Sequence, residues 1–495
     1  MDEGPQAPAA ISARLWPDGT PGRGARKGHV VPKNLGSIRT KLNALADSGQ
    51  LQRGEESRYA VKPDIGRVWV LYVGSQRGYV GVYDASLKPT PLTSDPAGAV
   101  AFRILQNIGE SWRLGSQTVL KRCLNELADI VLSAHEHGPP AGALVIGLPA
   151  ALSLDNRRIR GDGRPDWNDQ QPTIDSIVEK TWEELRSARS RELRRARSRQ
   201  GGIELPDLPR APDGTTLALT ADTDIVLDTL GAMYDPNRID AAAPDPRRAR
   251  LVLGIKHSVD VRSTVIARGR ADLYLDREHR RGAGERRDVV YRGAFGDTIG
   301  LGHSIALVQR ASRKTRELAL ADKRVIWEDS AQYHARRVKE QRACSCGSID
   351  PPHLNEVASY SAIEDRLKNA GLPVTPEDIW EGVYREIDKA TSPGIRGRLI
   401  LEEAGRLLAY ALDNGIRLYD PEAILVTGKM VFNDIFWSIA SETTQVSARR
   451  CLRRAADIPG DDVKRPIGPR GAAWLGFDTW VFPARLATLD AAPPR

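Results

Sequence analysis

The chain has 495 residues, 41% of them hydrophobic, too long for one average domain and too apolar to be disordered, so two to four domains with real cores are expected. Its mean hydropathy is −0.40, no apolar run approaches the ~18–20 residues of a membrane span, and Met1-Asp2-Glu3-Gly4-Pro5 lacks the basic start and apolar core of an export signal; with only Cys123, Cys344, Cys346 and Cys451, membrane, secreted and fibrous classes are excluded and a cytoplasmic location is expected. Lys plus Arg number 72 against 64 Asp plus Glu, a net charge of +8 with arginine the commoner base, which keeps nucleic acid among the partners.

In chain order, residues 1–30 carry scattered Pro, Gly and Ala without a period, and Ala10–Trp16 is the only helix candidate among them. Leu35, Ile38, Leu42 and Leu45 then recur at +3, +4 and +3, one face of a helix, with Asn34 as N-cap and Gly49 as its stop. Arg53-Gly54-Glu55-Glu56 turns into a short strand, Arg58-Tyr59-Ala60-Val61. Helix, glycine stop and basic hairpin read as the second half of a winged helix-turn-helix. Lys33, Ser37, Arg39, Thr40 and Lys41 lie on the outer face of its recognition helix, where they would meet phosphates and base edges in a major groove. Arg53 and Arg58 add phosphate contacts from the hairpin. The alternative is an ordinary amphipathic helix with a solvated basic face.

From Val68 strands and helices alternate. Val68–Val73 and Tyr79–Tyr83 read as a hairpin joined by Gly74-Ser-Gln-Arg-Gly78; Ala99–Ile108 and Ser116–Glu136 read as helices, and Ala143–Leu148 as a continuous apolar strand ending in Pro149. Later strands are expected at Leu217–Thr220, Arg250–Leu253, Ser263–Ala267 and Ala423–Thr427, and helices at Ile225–Ala232, Gly302–Ala311 and Arg396–Asn414. That alternation gives an α/β architecture with mixed sheets, in two lobes. Two helical stretches look like additions: 181–200, with arginine at 186, 189, 191, 194, 195, 197 and 199, and the charge-dense 312–342, with Trp327 and Tyr333 as packing anchors. The arginine run is either a solvated helix face or an auxiliary phosphate-contacting surface. No internal repeat is visible.

The usual phosphate loop, G-x-S-x-G and H-E-x-x-H motifs are missing. An ordered series stands instead: Asp64-Ile-Gly66, Gly147-Leu-Pro149, Asp166-Trp167, Thr220-Ala-Asp-Thr-Asp224, Gly293-Ala-Phe-Gly296, Gly302-His303, Cys344-Ser-Cys-Gly347, Ala358-Ser359 and Asp420–Gly428. Behind a winged helix, this series resembles the ROK family of bacterial sugar-responsive repressors and sugar kinases, over roughly residues 30–480. The resemblance implies two ribonuclease-H-like lobes of the actin and hexokinase type around a cleft, preceded by the N-terminal winged helix-turn-helix. The expected division is 1–62 for the winged helix, 63–225 for the first lobe with its insertion at 181–200, and 226–495 for the second lobe with its insertion at 312–342 and a C-terminal return to the first.

Matched to the family's motifs, the phosphate loop D-I-G-G-T falls on Asp64-Ile65-Gly66-Arg67-Val68, where Arg67 obstructs close approach of phosphate to backbone. The second, glycine-rich phosphate loop falls on Ser258–Thr264, which has no glycine and carries Asp260; the double glycine near the adenosine site falls on Gly428-Lys429. Asp222 is the counterpart of the general base, preceded by Ala221 instead of asparagine, and the two sugar-binding glutamates fall on Gly300 and near Asn355. With both phosphate loops lost, no ATP binding and no catalytic residue is expected, Asp222 being vestigial. The family's zinc site would be kept as His303, Cys344, Cys346 and His353, a closed and therefore structural Cys2His2 set; the alternative is a decayed site with two free thiols. Cys123 and Cys451 are expected to be core residues.

The expected function is therefore a DNA-binding transcriptional regulator, not an enzyme. Its ROK-like body would serve effector binding and dimerisation, acting as a homodimer or tetramer with DNA and, in the family's manner, a small-molecule effector. The alternatives are a divergent ATP-dependent sugar or small-molecule kinase using Asp222, and a non-catalytic interaction protein.

Overall fold

The computed structural model describes residues 51–53, 59–61, 65–74, 77–92, 100–108, 111, 114–135, 139–150, 152, 157–159, 172–196, 204–211, 214–234, 249, 251–257, 261–267, 289–291, 328–342, 349, 351–372, 391–444, 452–454 and 467–482. Strands β1 (Leu51–Arg53) and β2 (Tyr59–Val61) pair antiparallel, Arg53 opposite Tyr59, which is the hairpin expected after the basic helix. The helix itself, with Lys33, Ser37, Arg39, Thr40, Lys41, and the hairpin's Arg58, lies outside the described residues.

The first unit is built on β3 (Arg67–Val73), β4 (Gly78–Asp84), β5 (Phe102–Leu105), α1 (Ser116–His135), β6 (Ala141–Leu148), α2 (Ile174–Ala196), β7 (Leu219–Thr223) and α3 (Asp224–Met233). Its sheet runs β5-β4-β3-β6-β7. The first three strands are antiparallel; β3, β6 and β7 are parallel. The runs 68–73 and 143–148 are apolar without alternation because both faces of β3 and β6 are covered. On one face Trp69, Leu71 and Val80 pack with Leu124 and Leu127 of α1 and Val178 and Trp182 of α2, the Trp69 and Trp182 rings 5.2 Å apart. The helix expected at Ala99–Ile108 is instead strand β5, with Gly78 opposite Leu105. So short an apolar run fits either period, and pairing with the exposed edge of β4 decides it.

The second unit contains β8 (Leu251–His257), β9 (Val261–Ala267), β10 (Val289–Tyr291), α4 (Ser330–Lys339), α5 (Leu354–Ala358), α6 (Tyr360–Asn369), α7 (Ser392–Tyr419), β11 (Ala423–Thr427), α8 (Asp434–Thr443) and β12 (Leu452–Arg454). Its sheet order, β10-β9-β8-β11-β12, repeats the first: β8, β9 and β10 are antiparallel, and β8, β11 and β12 parallel. The chain thus carries one sheet topology twice, a repeat that no sequence similarity announced. Tyr333 is buried as expected, with the guanidinium groups of Arg336 and Arg366 5.0 and 5.8 Å from its ring centre; Trp327 lies outside the described residues. Beside it the fully buried Arg366 side chain pairs with Glu403 of α7, whose carboxylate also accepts from the backbone N–H and hydroxyl of Ser330.

The last described helix, α9 (Gly468–Gly476), packs in the first unit. Its glycines let it lie backbone to backbone on α3: a Cβ on Gly471 would sit 1.8 Å from the Leu227 carbonyl oxygen, and one on Gly231 2.2 Å from that of Ile467. The helix α3 belongs with the first unit, which runs to Ile239 before the second begins. Among the described residues, no helix is long and apolar enough to cross a membrane.

Candidate functional site at the strand ends of the first unit

In an open sheet with parallel strands, the carboxyl ends of those strands are where ligands are held. At that end of the first unit Tyr72, Gly147 and Asp222 stand side by side on β3, β6 and β7. Asp222 is 4% exposed and one of its carboxylate oxygens accepts from the backbone N–H of Thr223, 2.7 Å away. The strand expected to end at Thr220 runs on to Thr223, and α3 starts at Asp224 beside the expected Ile225, so Asp222 is the second-last residue of a strand. That is the place a reactive carboxylate needs if it is to meet a ligand beyond the sheet.

Tyr72 closes the floor. Its hydroxyl donates to Asp228 on α3 across 2.6 Å, and burial, followed by the neighbouring Asp228 and Asp224 carboxylates, drives its pKa well above the usual phenol range. A Cβ on Gly468 would come within 2.1 Å of the Tyr72 ring and 2.4 Å of the Asp228 carboxylate, so glycine at the start of α9 is what allows this pair to form. Gly147 is also required, since a Cβ there would stand 2.6 Å from Leu227 and 2.9 Å from Tyr72. None of Tyr72, Asp228 and Gly468 was singled out from sequence. The usable signal was a tyrosine inside an otherwise apolar buried strand, whose hydroxyl demands a partner.

The stretch matched to the first phosphate loop, 64–68, is at the wrong end. Arg67 is the first residue of β3, opposite Asp84 and Ala141. Five residues of strand, about 16 Å, separate it from the row of Tyr72 and Asp222. Its buried guanidinium donates to the Ala134 carbonyl in the last turn of α1, 2.7 Å away, where a cation meets the negative end of the helix. Arg67 therefore obstructs nothing at the strand ends. The loop that does stand there joins β3 to β4, and in it Gly74 N–H donates to the Arg77 carbonyl at 2.8 Å.

In the second unit, β8 ends at His257 and β9 opens at Val261, so only Ser258, Val259 and Asp260, outside the described residues, join them. The rest of the stretch matched to the second phosphate loop is strand. Val261 N–H donates to the Asn355 side-chain carbonyl at 2.5 Å, so Asn355, the counterpart of a sugar-binding glutamate, ties α5 to β9. Gly428 has φ +105 and leaves room for a Cβ only 2.1 Å from the His257 carbonyl oxygen. Lys429 places its ammonium 5.1 Å from the Tyr360 ring centre. His257 is fully buried, edge-on to Phe436 at 4.9 Å, and burial pulls its pKa down to about 4.

Of the expected zinc ligands, His303, Cys344 and Cys346 lie outside the described residues, as does Gly300. His353 is half-buried at the start of α5, where its backbone N–H donates to Glu356 at 3.0 Å. Among the described residues no group of three or more His, Cys, Asp or Glu is arranged to hold a metal ion. Cys123 is a buried core residue whose thiol is pushed up to about 12 by burial; Cys451 lies outside the described residues.

Two like sheets, each with an antiparallel hairpin leading into parallel strands, define a mixed α/β protein of duplicated lobes. Residues 289–478 match the family model described as ROK family, which bears out, over that segment, the resemblance carried by the motifs. No curated protein matches the chain. Among solved structures it is similar to a ROK family transcriptional regulator, a homolog of the E. coli MLC protein, at 14% identity, covering 92% of this chain and 91% of that one with a TM-score of 0.51. It is also similar to the ROK hexokinase from Thermus thermophilus, at 16% identity over 85% of this chain and 99% of that one, TM-score 0.47. A third is a glucokinase from Balamuthia mandrillaris in complex with glucose, at 10% identity over 89% and 98%, TM-score 0.48. The likeness to the regulator's structure shows the fold alone.

Proposed function

We propose that the protein is a cytoplasmic DNA-binding transcriptional regulator whose ROK-like body no longer transfers phosphate. The observation that carries this reading is the β1–β2 hairpin, which directly follows the basic amphipathic stretch of 31–48 and precedes a body that already contains both ribonuclease-H-like sheets. A sugar kinase has no use for such a leading module. The three-residue β8–β9 connection with Asp260, the use of Asn355 as a structural tie and the engagement of Lys429 with Tyr360 all favour a body that does not grip a triphosphate. In this reading Lys33, Ser37, Arg39, Thr40 and Lys41 read the major groove, and Arg53 and Arg58 hold phosphates. A two-fold dimer or a tetramer presents two such heads to half-sites one helical turn apart. A small-molecule effector acts by preferring one spacing of the heads. A structural zinc on His303, Cys344, Cys346 and His353 would pin the segment that carries them.

Electrophoretic retardation with the protein's own upstream DNA tests this: binding is expected, and Lys41→Ala or Arg39→Ala should abolish it. Binding untouched by either change would refute the recognition-helix assignment. A kinase reading is favoured by one observation, the buried Asp222 at a parallel strand end. It requires ATP turnover with some sugar that disappears in Asp222→Asn, and no such turnover is expected.

A further inference from the structure

Helix α4 is seated on α5, α6 and α7 by charge more than by apolar surface. Of its 10 residues only Ser330 and Tyr333 are buried. Ser330 is held by Glu403 of α7, which accepts from its backbone N–H at 3.1 Å and from its hydroxyl at 2.7 Å. The Tyr333 ring centre lies 5.8 Å from the Arg366 guanidinium, which also donates to the Glu328 carbonyl just ahead of the helix at 3.1 Å. At the rim Arg336 and Arg342 reach Asp365 of α6 at 3.2 and 3.8 Å, and His334 stands 3.8 Å from Glu356 of α5.

That seat is costly to cover. The Arg366–Glu403 pair must be dehydrated, and the attraction within a buried pair offsets such a cost only where every remaining polar atom is bonded. Here Arg366 Nε finds no acceptor and Glu356 Oε1 no donor among the described residues, although both atoms are buried, and each gives up its hydration for nothing. Release of α4 returns water to them. Against this stand one buried tyrosine and half-exposed ion pairs, which are individually weak and screened by salt. Helix α7 differs, because Leu401, Ala404, Leu408 and Leu412 anchor it in the apolar core. Once off its seat α4 does not persist, since a helix of this length is unstable alone in water even with its Asp329–Gln332 capping box.

We propose that α4 is a strap that detaches from α5, α6 and α7 as a unit, its release governed by ionic strength, while α6, α7 and β11 stay folded. Opening uncovers the Arg366–Glu403 pair together with Glu356 and Asp365, a charged face that the closed strap conceals. This inference is independent of the DNA-binding reading.

Hydrogen exchange of the full chain at neutral pH, read by mass spectrometry at low and at high sodium chloride, tests it. At about 1 M salt, where the screening length is about 3 Å, the amides of α4 should exchange at least about tenfold faster than at low salt, and those of α6 and α7 should change less than about twofold. Arg336→Gln should accelerate α4 alike at low salt and remove most of its salt dependence. Arg398→Gln, which breaks an exposed pair with Glu402 on α7, should change neither. If Arg336→Gln does not fold, Arg342→Gln at the exposed rim serves with a smaller shift in the same direction. Exchange of α4 at the rate of α7, with the same urea dependence, would mean that the two open together and would overturn the proposal. So would α4 exchange in the wild type that is indifferent to salt.

Discussion

Replacing Gly471 by alanine probes the packing of α9 against α3, the helix that follows Asp222 in the chain. The new Cβ would lie 1.8 Å from the carbonyl oxygen of Leu227, a backbone atom with no side-chain freedom to retreat. To reach even the shortest contacts real Cβ atoms make, α3 and α9 must part by at least about 1 Å. A gap of that size forfeits a quarter to half of each dispersion contact along the shared face. Added to the cost of overpacking, the loss comes to about 4 kcal/mol, or about 8–16 °C in the melting temperature of a unit of this size. The control is Gly115→Ala in the same unit. It stands in open space with φ +101, so it bears only the left-handed backbone penalty, about 1–2 kcal/mol. Differential scanning calorimetry separates the two. If Gly471→Ala costs no more than Gly115→Ala, the helices do not touch backbone to backbone and the account of how α9 packs on α3 is wrong.

The remaining predictions concern the second unit. His257 is neutral in the folded state with its pKa near 4, against about 6.5 when unfolded. Its contribution is fully present above pH 6.5, and as the pH falls towards 4 the unfolded chain takes a proton that the fold refuses. Between those values stability falls by about 3 kcal/mol, and urea unfolding of His257→Gln should lose that component; identical pH profiles would contradict its burial. Glu403→Gln leaves the Arg366 charge buried without its carboxylate and should cost about 3–5 kcal/mol, whereas the pair Arg366→Met with Glu403→Leu should cost little. A single-variant cost below about 1 kcal/mol would show that the pair is not isolated from water. Elemental analysis should find about one zinc per chain in the wild type and none in Cys344→Ser with Cys346→Ser, and chelation should lower the melting temperature of the wild type alone. Equal metal content in both would place the ion elsewhere.

Much of the scaffold was legible because burial on both faces writes strands as unbroken apolar runs. Val68–Val73, Ala143–Leu148 and Ala423–Thr427 were found nearly to the residue. Arg396–Asn414 was found as the middle of α7, whose ends are set by features outside the apolar stripe: the Thr391 cap and the left-handed Asp420. Strand β5 was missed because pairing across the chain, not local period, made it a strand. The repeated sheet order, implied by the resemblance to two like lobes, left no repeat in the residues themselves, since strand order and direction can recur while the side chains filling each core differ. The phosphate-loop match failed most instructively. Asp64-Ile-Gly66 agreed with three letters of a motif, but only the register of β3 against β6 reveals that the next residue, Arg67, opens the strand about 16 Å from the row of Tyr72 and Asp222. The site itself was half readable. Asp222 was found from its motif, whereas Tyr72, Asp228 and Gly468 converge from three elements that no local pattern connects.

Nuclease footprinting of the full-length protein on its own upstream DNA bears most directly on the proposed role. The account predicts two protected half-sites centred about one helical turn apart, or a whole multiple of it, with protection lost in Arg39→Ala. No protection at any protein concentration, together with sugar-dependent ATP hydrolysis by the same preparation, would contradict it.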